Sequence, residues 1–410
     1  MTIAAGTLTE RAPAASEPAD LRVRRRVGAI IAGITGVIVC SILVWALYQD
    51  LHQAMGWRAF RWALLFAFVP VLPLAAVLVW LDRFRPEPAA LLAVALLWGA
   101  LAAAYGALKL NGWLTQQIGD VYGATPRAAV FVAPWVEELA KGAIVFVLVL
   151  WRRHDFNAVA AGVVYAGLAG IGFAFTENIV YYGQVFENVL RSGAANGQAL
   201  DAVQELFRWR GLAAPFVHPM FTMMTGLGIG IAVRYRHVGV RILAPVAGFC
   251  AAVLLHMGYN ALASFVPQGN LTAVYVPILL PTLVAVLTLV FVARRQERRM
   301  VTARLHDYTS FGWLRPEHIE FIVGRSARRR ARAHARQFGK PELRRVREFQ
   351  RTGVDLGLLR DRMVRGVAGA SELPRERQLI EAMRDFRGRV MLPGISETPV
   401  DRPSGAPSSW

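Results

Sequence analysis

The sequence predicts an all-α protein, a polytopic membrane helix bundle of about eight transmembrane helices with a basic helical tail. Apolar residues make up 55% of the 410 residues and charged residues only 18%, with a mean hydropathy of +0.38. Soluble domains are nearer a quarter charged, so much of this chain must be hidden from water by lipid. The two cysteines, Cys40 and Cys250, both lie in apolar runs, which excludes a disulfide-stabilised secreted fold.

Eight apolar runs are each long enough to form a helix of about 20 residues, the length that crosses a bilayer. They cover residues 27–48, 62–81, 88–110, 128–151, 158–182, 211–233, 242–265 and 272–293. Pro70 and Pro73 lie inside the second run, and neighbouring helices can satisfy the carbonyls that such prolines leave free. The runs predict a transmembrane domain at residues 27–293, preceded by an N-terminal cytoplasmic tail at 1–26.

Basic residues cluster at every second boundary of these runs, which sets the orientation by the positive-inside rule. The clusters are Arg22, Arg24, Arg25 and Arg26; Arg83 and Arg85; Arg152 and Arg153; Arg234, Arg236 and Arg241; and Arg294, Arg295, Arg298 and Arg299. Eight spans with both termini in the cytoplasm place all five clusters on one side. We therefore expect a multi-pass protein of the cell membrane.

Two thirds of the net positive charge lies in the C-terminal tail. Residues 294–410 hold 26 Lys and Arg against 14 Asp and Glu, a net charge of +12 out of +18 for the chain. Basic helical segments are predicted at 316–338 and 341–367. The second has an apolar face of Leu343, Val346, Phe349, Val354, Leu358 and Leu359. Residues 294–392 are thus predicted to be a basic helical tail, and 393–410, rich in Pro and Ser, a disordered C-terminus.

The basic tail predicts anionic lipid as a partner, because each Lys or Arg near an anionic leaflet contributes about 1 kcal/mol of attraction. A soluble partner, or the cytoplasmic part of a substrate, is the second interpretation. Nucleic acid is disfavoured, since the charge lies beside a membrane domain. The sequence does not indicate an oligomeric state.

Ionisable groups inside the predicted spans are the most informative residues, since each costs a few kcal/mol at the bilayer centre unless it is paired. Four consecutive spans carry Glu137, Glu138 and Lys141; Glu177 and Asn178; His218; and His256 and Asn260. At about 1.5 Å per residue, the acids and histidines lie roughly 8 to 14 Å below the outer ends of their spans. This shared level predicts one site in the outer half of the membrane.

These residue types are suited to hydrolysis of an amide by water. Lys141 lies at i+4 and i+3 from two glutamates that point about 100° apart, so one carboxylate can face a water while the other holds the ammonium. A buried Glu can be the general base, and a His can share the water or protonate the leaving amine. The second His and Asn260 can stabilise the oxyanion. Direct activation of water by Glu is the favoured interpretation; zinc held by His218, His256 and Glu177 is the alternative.

Four motifs together resemble the PrsW family of intramembrane proteases, within the broader group that includes the CAAX prenyl proteases. They are EExxK at 137–141, FxxxEN at 173–178, the isolated His218, and HxxxN at 256–260. The resemblance covers roughly residues 60–295. It implies site-1 type cleavage of membrane-anchored substrates, anti-sigma factors being the known substrate class. It also implies that the required residues are Glu137, Glu138, Glu177, His218 and His256.

The resemblance leaves two roles open. The prenyl proteases have EExxxR and FxxxH where this chain has Lys141 and Glu177. Membrane carboxylates also mark ion and proton paths, so a proton- or ion-coupled transporter is the alternative class, and a non-catalytic peptide-binding scaffold is the third. The sequence contains no visible inverted repeat of the kind that would favour a transporter.

Overall fold

The computed structural model describes residues 19–122, 125–152, 159–266, 271–369 and 372–395. Residues 1–18 of the predicted N-terminal tail and 396–410 of the predicted disordered C-terminus lie outside the described residues. The chain divides into two units, residues 1–50 and 51–410. In the first unit the described part is a helix whose apolar side chains, such as Ile30, Ile34 and Val37, are largely exposed. Such a surface requires lipid around it.

Helices make up the regular structure of the described residues, and no strand occurs among them. In chain order they are α1 (Ala19–Phe68), α2 (Val71–Asp82), α3 (Ala89–Leu97), α4 (Ala104–Tyr122), α5 (Thr125–Phe131), α6 (Ala133–Trp151), α7 (Val159–Arg191), α8 (Asn196–Phe207), α9 (Val217–Ala232), α10 (Val238–Phe265), α11 (Leu271–His306), α12 (Pro316–Val323), α13 (Arg325–Gln337), α14 (Lys340–Val364) and α15 (Glu372–Phe386). Short π-helical segments, Trp98–Ala103 and Arg208–Ala213, follow α3 and α8. The predicted all-α class is confirmed.

Within the described ranges, six helical stretches are long and apolar enough to cross a membrane. They are Ile30–Asp82, Ala89–Gln117, Val159–Arg191, Asn196–Ala232, Val238–Phe265 and Val276–His306. The first contains two of the predicted spans, with a kink between them at Gly56, whose φ of 66° suits glycine. The predicted fourth span corresponds to α6, which is more polar because it carries two carboxylates and an ammonium. A multi-pass membrane protein is therefore indicated, while the count of eight spans and the cytoplasmic termini stay predictions.

Helix α7 lies at the centre of the bundle. Every residue from 159 to 174 is buried, as expected for a helix that neighbours cover on all sides. Around it, α2, α3, α6, α9 and α10 contribute to one apolar core. This core surrounds the segment of α7 that leads up to Glu177.

Glycines let the neighbouring helices approach α7 backbone to backbone. A Cβ on Gly172 would lie 2.0 Å from the carbonyl oxygen of Leu96, and one on Gly162 would lie 2.3 Å from that of Gly226. In lipid, small residues drive helix association by allowing such close packing. They hold α3 and α9 against α7 at a fixed separation.

The basic tail has an apolar core of its own. The end of α11 and helices α12 to α15 bury Val301, Leu305, Ile322, Phe349, Leu356 and Met383, among others. The predicted segment 316–338 is two helices that break at Gly324. Five of the six positions on the predicted apolar face are buried, and Leu343 is partly buried, so that face is confirmed. The tail is a folded helical unit as well as a carrier of charge.

The loop at residues 83–88, between α2 and α3, inserts into the tail core. The ring of Phe84 is buried there, and the guanidinium carbons of Arg298 and Arg328 lie 4.2 and 5.2 Å from its centre. Arg85 binds Asp355 on α14, with 2.6 Å between Nε and Oδ1. The loop therefore anchors the tail to the bundle.

Glu87 connects the same loop to the two helices that carry the acids of the predicted site. Its Oε2 accepts from the Tyr165 hydroxyl on α7 at 2.8 Å and from Arg152 at the end of α6 at 3.3 Å. Its Oε1 accepts from Arg85 at 3.2 Å. A buried, hydrogen-bonded charge network of this kind holds α6, α7 and the tail together.

Candidate active site

Helix α6 presents three ionisable side chains on one buried face. The helix begins at Ala133, and Pro134 occupies its first turn, where no helical hydrogen bond is lost. The ammonium of Lys141 donates to Glu138 Oε1 at 2.8 Å and to Glu137 Oε2 at 3.3 Å. Glu138 and Lys141 have no exposed surface, and Glu137 is 7% exposed. The predicted i,i+3 and i,i+4 contacts are confirmed.

The Lys141 ammonium also joins α6 to two other helices. Its Nζ lies 3.2 Å from Nδ1 of His218 on α9 and 3.9 Å from the ring centre of Phe173 on α7. An unpaired ammonium at this buried position would cost roughly several kcal/mol of stability. The fold therefore requires these contacts. Lys141 is thus at the centre of the cluster.

Each of the two histidines has one ring nitrogen against a carboxylate. Nδ1 of His256 lies 3.0 Å from Glu138 Oε1, and Nε2 of His218 lies 2.6 Å from Glu177 Oε2. The second approach is a close charge contact whose angle is not that of a hydrogen bond. The two rings meet edge to face with centroids 5.1 Å apart. The three acids and two histidines predicted from the sequence therefore form one connected group.

The other ring nitrogens are directed at Glu137 and Lys141. His256 Nε2 lies 3.7 Å from Glu137 Oε2, and one donor atom from each of Glu137, His218 and His256 lies within 4.8 Å of the others. Two His and one Glu form a donor set of catalytic zinc, and ligating histidines usually have their second nitrogen on a carboxylate, as both have here. These residues therefore fit a zinc ion.

The carboxylate in this donor set differs from the predicted one. The sequence interpretation grouped Glu177 with His218 and His256, whereas the structure groups Glu137 with them. Glu177 lies instead beside Nε2 of His218 and the guanidinium of Arg210, 3.1 Å from its NH2 atom. Its position is that of a residue that orients His218.

Arg210 is a member of the cluster that the sequence interpretation missed. Besides its contact with Glu177, its Nε donates to Asn178 Oδ1 at 3.0 Å, and its guanidinium lies 4.0 Å from the ring centre of Tyr181. A charge count could have found it, because three acids in the spans faced a single lysine. Arg210, one residue before the run at 211–233, is the neighbouring cation. Asn178, which the sequence places beside Glu177 in the same span, accepts this hydrogen bond from the arginine.

Two uncharged side chains complete the carboxylate contacts. Thr222 Oγ1 donates to Glu138 Oε2 at 2.9 Å, and Asn111 Nδ2 donates to Glu137 Oε1 at 3.3 Å. Thr222 lies one helical turn after His218, which is the signal that could have identified it. Both carboxylates are thereby bound at both oxygens, and they differ in that Glu137 keeps a small exposed fraction, 7%, whereas Glu138 has none.

The hydrogen bond of the Asn260 side chain leads away from the cluster. Its Nδ2 donates to the carbonyl oxygen of Ala129 at 2.9 Å, in the last turn of α5. Carbonyls in the last turn of a helix have no intrahelical donor, so a nearby amide satisfies one of them. This contact ties α10 to α5. The predicted oxyanion role of Asn260 stays a prediction.

Gly170 sets the distance between α7 and the start of α9, where His218 lies. A Cβ on Gly170 would lie 2.7 Å from Pro219 Cα and 2.8 Å from the carbonyl oxygen of His218. We expect Gly170→Ala to displace His218, to cost about 1 to 3 kcal/mol of stability through overpacking, and to lower any activity of the site. Thermal unfolding of purified protein measures the first effect.

Gly106→Ala on α4 is the matched control for this substitution. No atom lies within 4 Å of a Cβ at Gly106, and alanine favours a helix over glycine by about 1 kcal/mol. This variant should therefore keep or slightly raise Tm. Equal behaviour of the two alanine variants would contradict a spacing role for Gly170.

Comparison with known families identifies the family of the domain that carries the cluster. Residues 87–287 match the family model described as PrsW family intramembrane metalloprotease. Residues 87–287 form a PrsW-family domain. The resemblance noted from the motifs is confirmed, and the family implies a peptidase. Searches of curated proteins and of solved structures found no match.

The PrsW-family domain contains the whole cluster. The matched residues include Glu137, Glu138, Glu177, His218 and His256, together with Lys141 and Arg210. The tail core lies beyond residue 287, so the match does not extend to it.

Proposed function

We propose that this protein is an intramembrane endopeptidase of the cell membrane that hydrolyses peptide bonds of membrane-anchored proteins. The observation that carries the proposal is the convergence of Glu137, His218 and His256 within a PrsW-family domain. Each histidine has a carboxylate behind it, so the groups are held in place before a substrate arrives. Such preorganisation is what a hydrolytic site requires.

Glu137 is the proposed proton acceptor. Its carboxylate is the more accessible of the adjacent pair on α6, since Glu138 is fully buried and bound by Lys141, His256 and Thr222. When water attacks the scissile carbonyl carbon, its proton passes to Glu137. The carbon–nitrogen bond then breaks, and the same proton reaches the leaving amine. Glu138 keeps the orientation of His256, and Glu177 that of His218.

In the zinc-dependent version of this proposal, Glu137, His218 and His256 would hold the ion, and Glu137 would then be a ligand and not the proton acceptor. A zinc ion held there would act as a Lewis acid, which would polarise the scissile carbonyl and make a water molecule more acidic. The family description names a metalloprotease, and the donor set fits that description. The Lys141 ammonium lies against two of these donors, Glu137 and His218, and would have to move when zinc binds. Activation of water by Glu137 without a metal is the alternative.

An apolar pocket beside the cluster favours a peptide substrate over a hydrated ion. It has a volume of about 270 Å³ and lies between α9, α10 and α11, with Phe221, Gly258 and Tyr259 in its lining. The ring of Phe221 also stacks on His256 at 5.2 Å. An apolar side chain of a membrane-anchored substrate suits this pocket, whereas an ion path needs polar walls.

Cleavage of a single-span substrate tests the proposed function. The full chain is reconstituted in vesicles with a labelled one-helix peptide, and products are identified by mass spectrometry. We expect cleavage in the half of the membrane where the cluster lies, and about 10²-fold or greater loss in His218→Ala.

His237→Ala serves as the control, because His237 is an exposed histidine at the start of α10 and outside the cluster. It should cleave like the wild type. Intact substrate together with proton flux across the vesicle wall would contradict the protease and support a transporter. Peptide binding without cleavage would support a scaffold.

A further inference from the structure

A second, larger cleft lies away from the cluster, where α6, α9 and α10 meet the tail. Its volume is about 740 Å³. Phe146, Val149 and Leu150 of α6 line one wall, and Val367 and Ala368, after α14, line another. The PrsW-family domain and the tail thus share the cleft.

Arginines give the cleft its charge. Arg236 and Arg241 line it together with Arg362, and no acidic residue occurs among its lining residues. Arg362 pairs with Glu372. Arg236 and Arg241 are exposed, and neither forms an ion pair with any residue that the structure describes. The cleft therefore presents two uncompensated positive charges next to an apolar wall.

One of these arginines, Arg236, lies against the backbone of the tail. A Cβ on Gly366, whose φ is +65°, would lie 2.8 Å from NH1 of Arg236. The guanidinium therefore lies directly on the Gly366 backbone. Phe146 and Leu150, by contrast, are 50% and 69% exposed on the side that lipid would cover. The positive charge of Arg236 and the apolar side chains of Phe146 and Leu150 therefore line the same cleft.

We infer that this cleft binds one anionic phospholipid from the leaflet on the side of the basic tail. The phosphate lies between Arg236 and Arg241, and an acyl chain runs along Phe146 and Leu150. Basic pockets at the ends of transmembrane helices recognise anionic headgroups in this way. The partner predicted for the whole tail is thereby assigned to one cleft. The bound lipid joins α6, which carries Glu137, to the tail.

Retention of lipid by the purified full chain tests the inference. Wild-type protein in detergent is mixed with phosphatidylglycerol, phosphatidylcholine or glycerol phosphate, and bound molecules are counted by native mass spectrometry. We expect phosphatidylglycerol to bind at a ratio of about one per chain, phosphatidylcholine far more weakly, and glycerol phosphate not at all. Arg236→Gln with Arg241→Gln should weaken phosphatidylglycerol binding by about tenfold or more.

Two further variants separate the cleft from the general charge of the tail. Arg329→Gln with Arg344→Gln removes the same charge from exposed tail positions outside the cleft and should keep the lipid. Ala368→Trp keeps every arginine but fills the cleft and should lose it. Equal loss in both double arginine variants, or lipid retention in Ala368→Trp, would overturn the assignment. Equal retention of phosphatidylcholine would overturn it too, and so would binding of glycerol phosphate, which would show a phosphate site that needs no acyl chain.

Discussion

We expect Glu137→Gln to abolish cleavage of a membrane-anchored substrate while leaving the thermal stability of the protein close to that of the wild type. The substitution keeps the size of the side chain but removes the proton acceptor, which is worth about 10² to 10⁴ in rate. Its structural contacts are long, 3.3 Å to Lys141, 3.3 Å to Asn111 and 3.7 Å to His256. The change therefore has a large effect on chemistry and a small effect on packing. Single-turnover cleavage and Tm measure the two effects.

Glu138→Gln is expected to lose both activity and stability. Its carboxylate is fully buried and accepts from Lys141, His256 and Thr222 at 2.8 to 3.0 Å. Loss of one partner from a buried ion pair costs about 3 to 5 kcal/mol when nothing replaces it. Gln can still accept from Lys141, so the loss should be smaller. A fall in Tm in Glu138→Gln but not in Glu137→Gln is the expected pattern.

The exposed carboxylate Glu205 on α8 provides the control for both variants. It pairs with Arg208 at the surface, where removal of a charge costs little. Glu205→Gln should match the wild type in Tm and in cleavage. Substantial cleavage by Glu137→Gln would contradict its role as proton acceptor. Equal loss of Tm in the two α6 variants would contradict the division between a slightly exposed carboxylate and a fully buried one.

The sequence was sufficient to predict the acids, the histidines and the lysine of the cluster, because burial makes charge rare inside membrane helices, but it did not reveal Arg210 or Thr222. Each acid or histidine within an apolar run was therefore conspicuous, and a shared depth predicted that they meet. The assignment of partners could not be predicted in this way. Whether Glu137 or Glu177 joins the histidines depends on the rotation of α6 and α7. The Gly170 contact with α9 contributes to it, and spacing alone does not determine it.

The fold was predictable in class and less so in its boundaries. Apolar runs predicted helices, and the non-helical backbone at Gly56 separates the first two predicted spans, but the runs carry no mark of the kink at which one helix leads directly into the next. The apolar core of the tail was only partly predictable from the sequence. One face of α14 was identified, whereas the insertion of Phe84 comes from a loop more than 200 residues away and depends on tertiary packing.

Removal of zinc is expected to stop cleavage. Protein purified without chelator should carry about one zinc ion per chain, and treatment with 1,10-phenanthroline should abolish hydrolysis until zinc is restored. His218→Ala and His256→Ala should each lower the zinc content strongly, because each removes one of three donors within 4.8 Å of one another. His237→Ala should retain the metal. Elemental analysis measures metal content independently of activity. Cleavage that survives exhaustive chelation in a zinc-free sample would establish water activation by Glu137 alone.

A substitution of Lys141 gives a second test of zinc binding. Its ammonium contacts Glu137 Oε2 at 3.3 Å and His218 Nδ1 at 3.2 Å, so it binds atoms of two residues in the donor set. Two cations repel at such short range, and the ammonium must move when zinc binds. Lys141→Met keeps much of the side-chain volume and removes the charge. It should bind zinc at least about tenfold more tightly, a difference of about 1.4 kcal/mol, in competition with a fluorescent chelator. The metal-free variant should be less stable than the wild type, because Glu138 loses its cation. Unchanged zinc affinity would mean that the ammonium does not compete for the donors, and Lys141 would then act only in holding the carboxylates together.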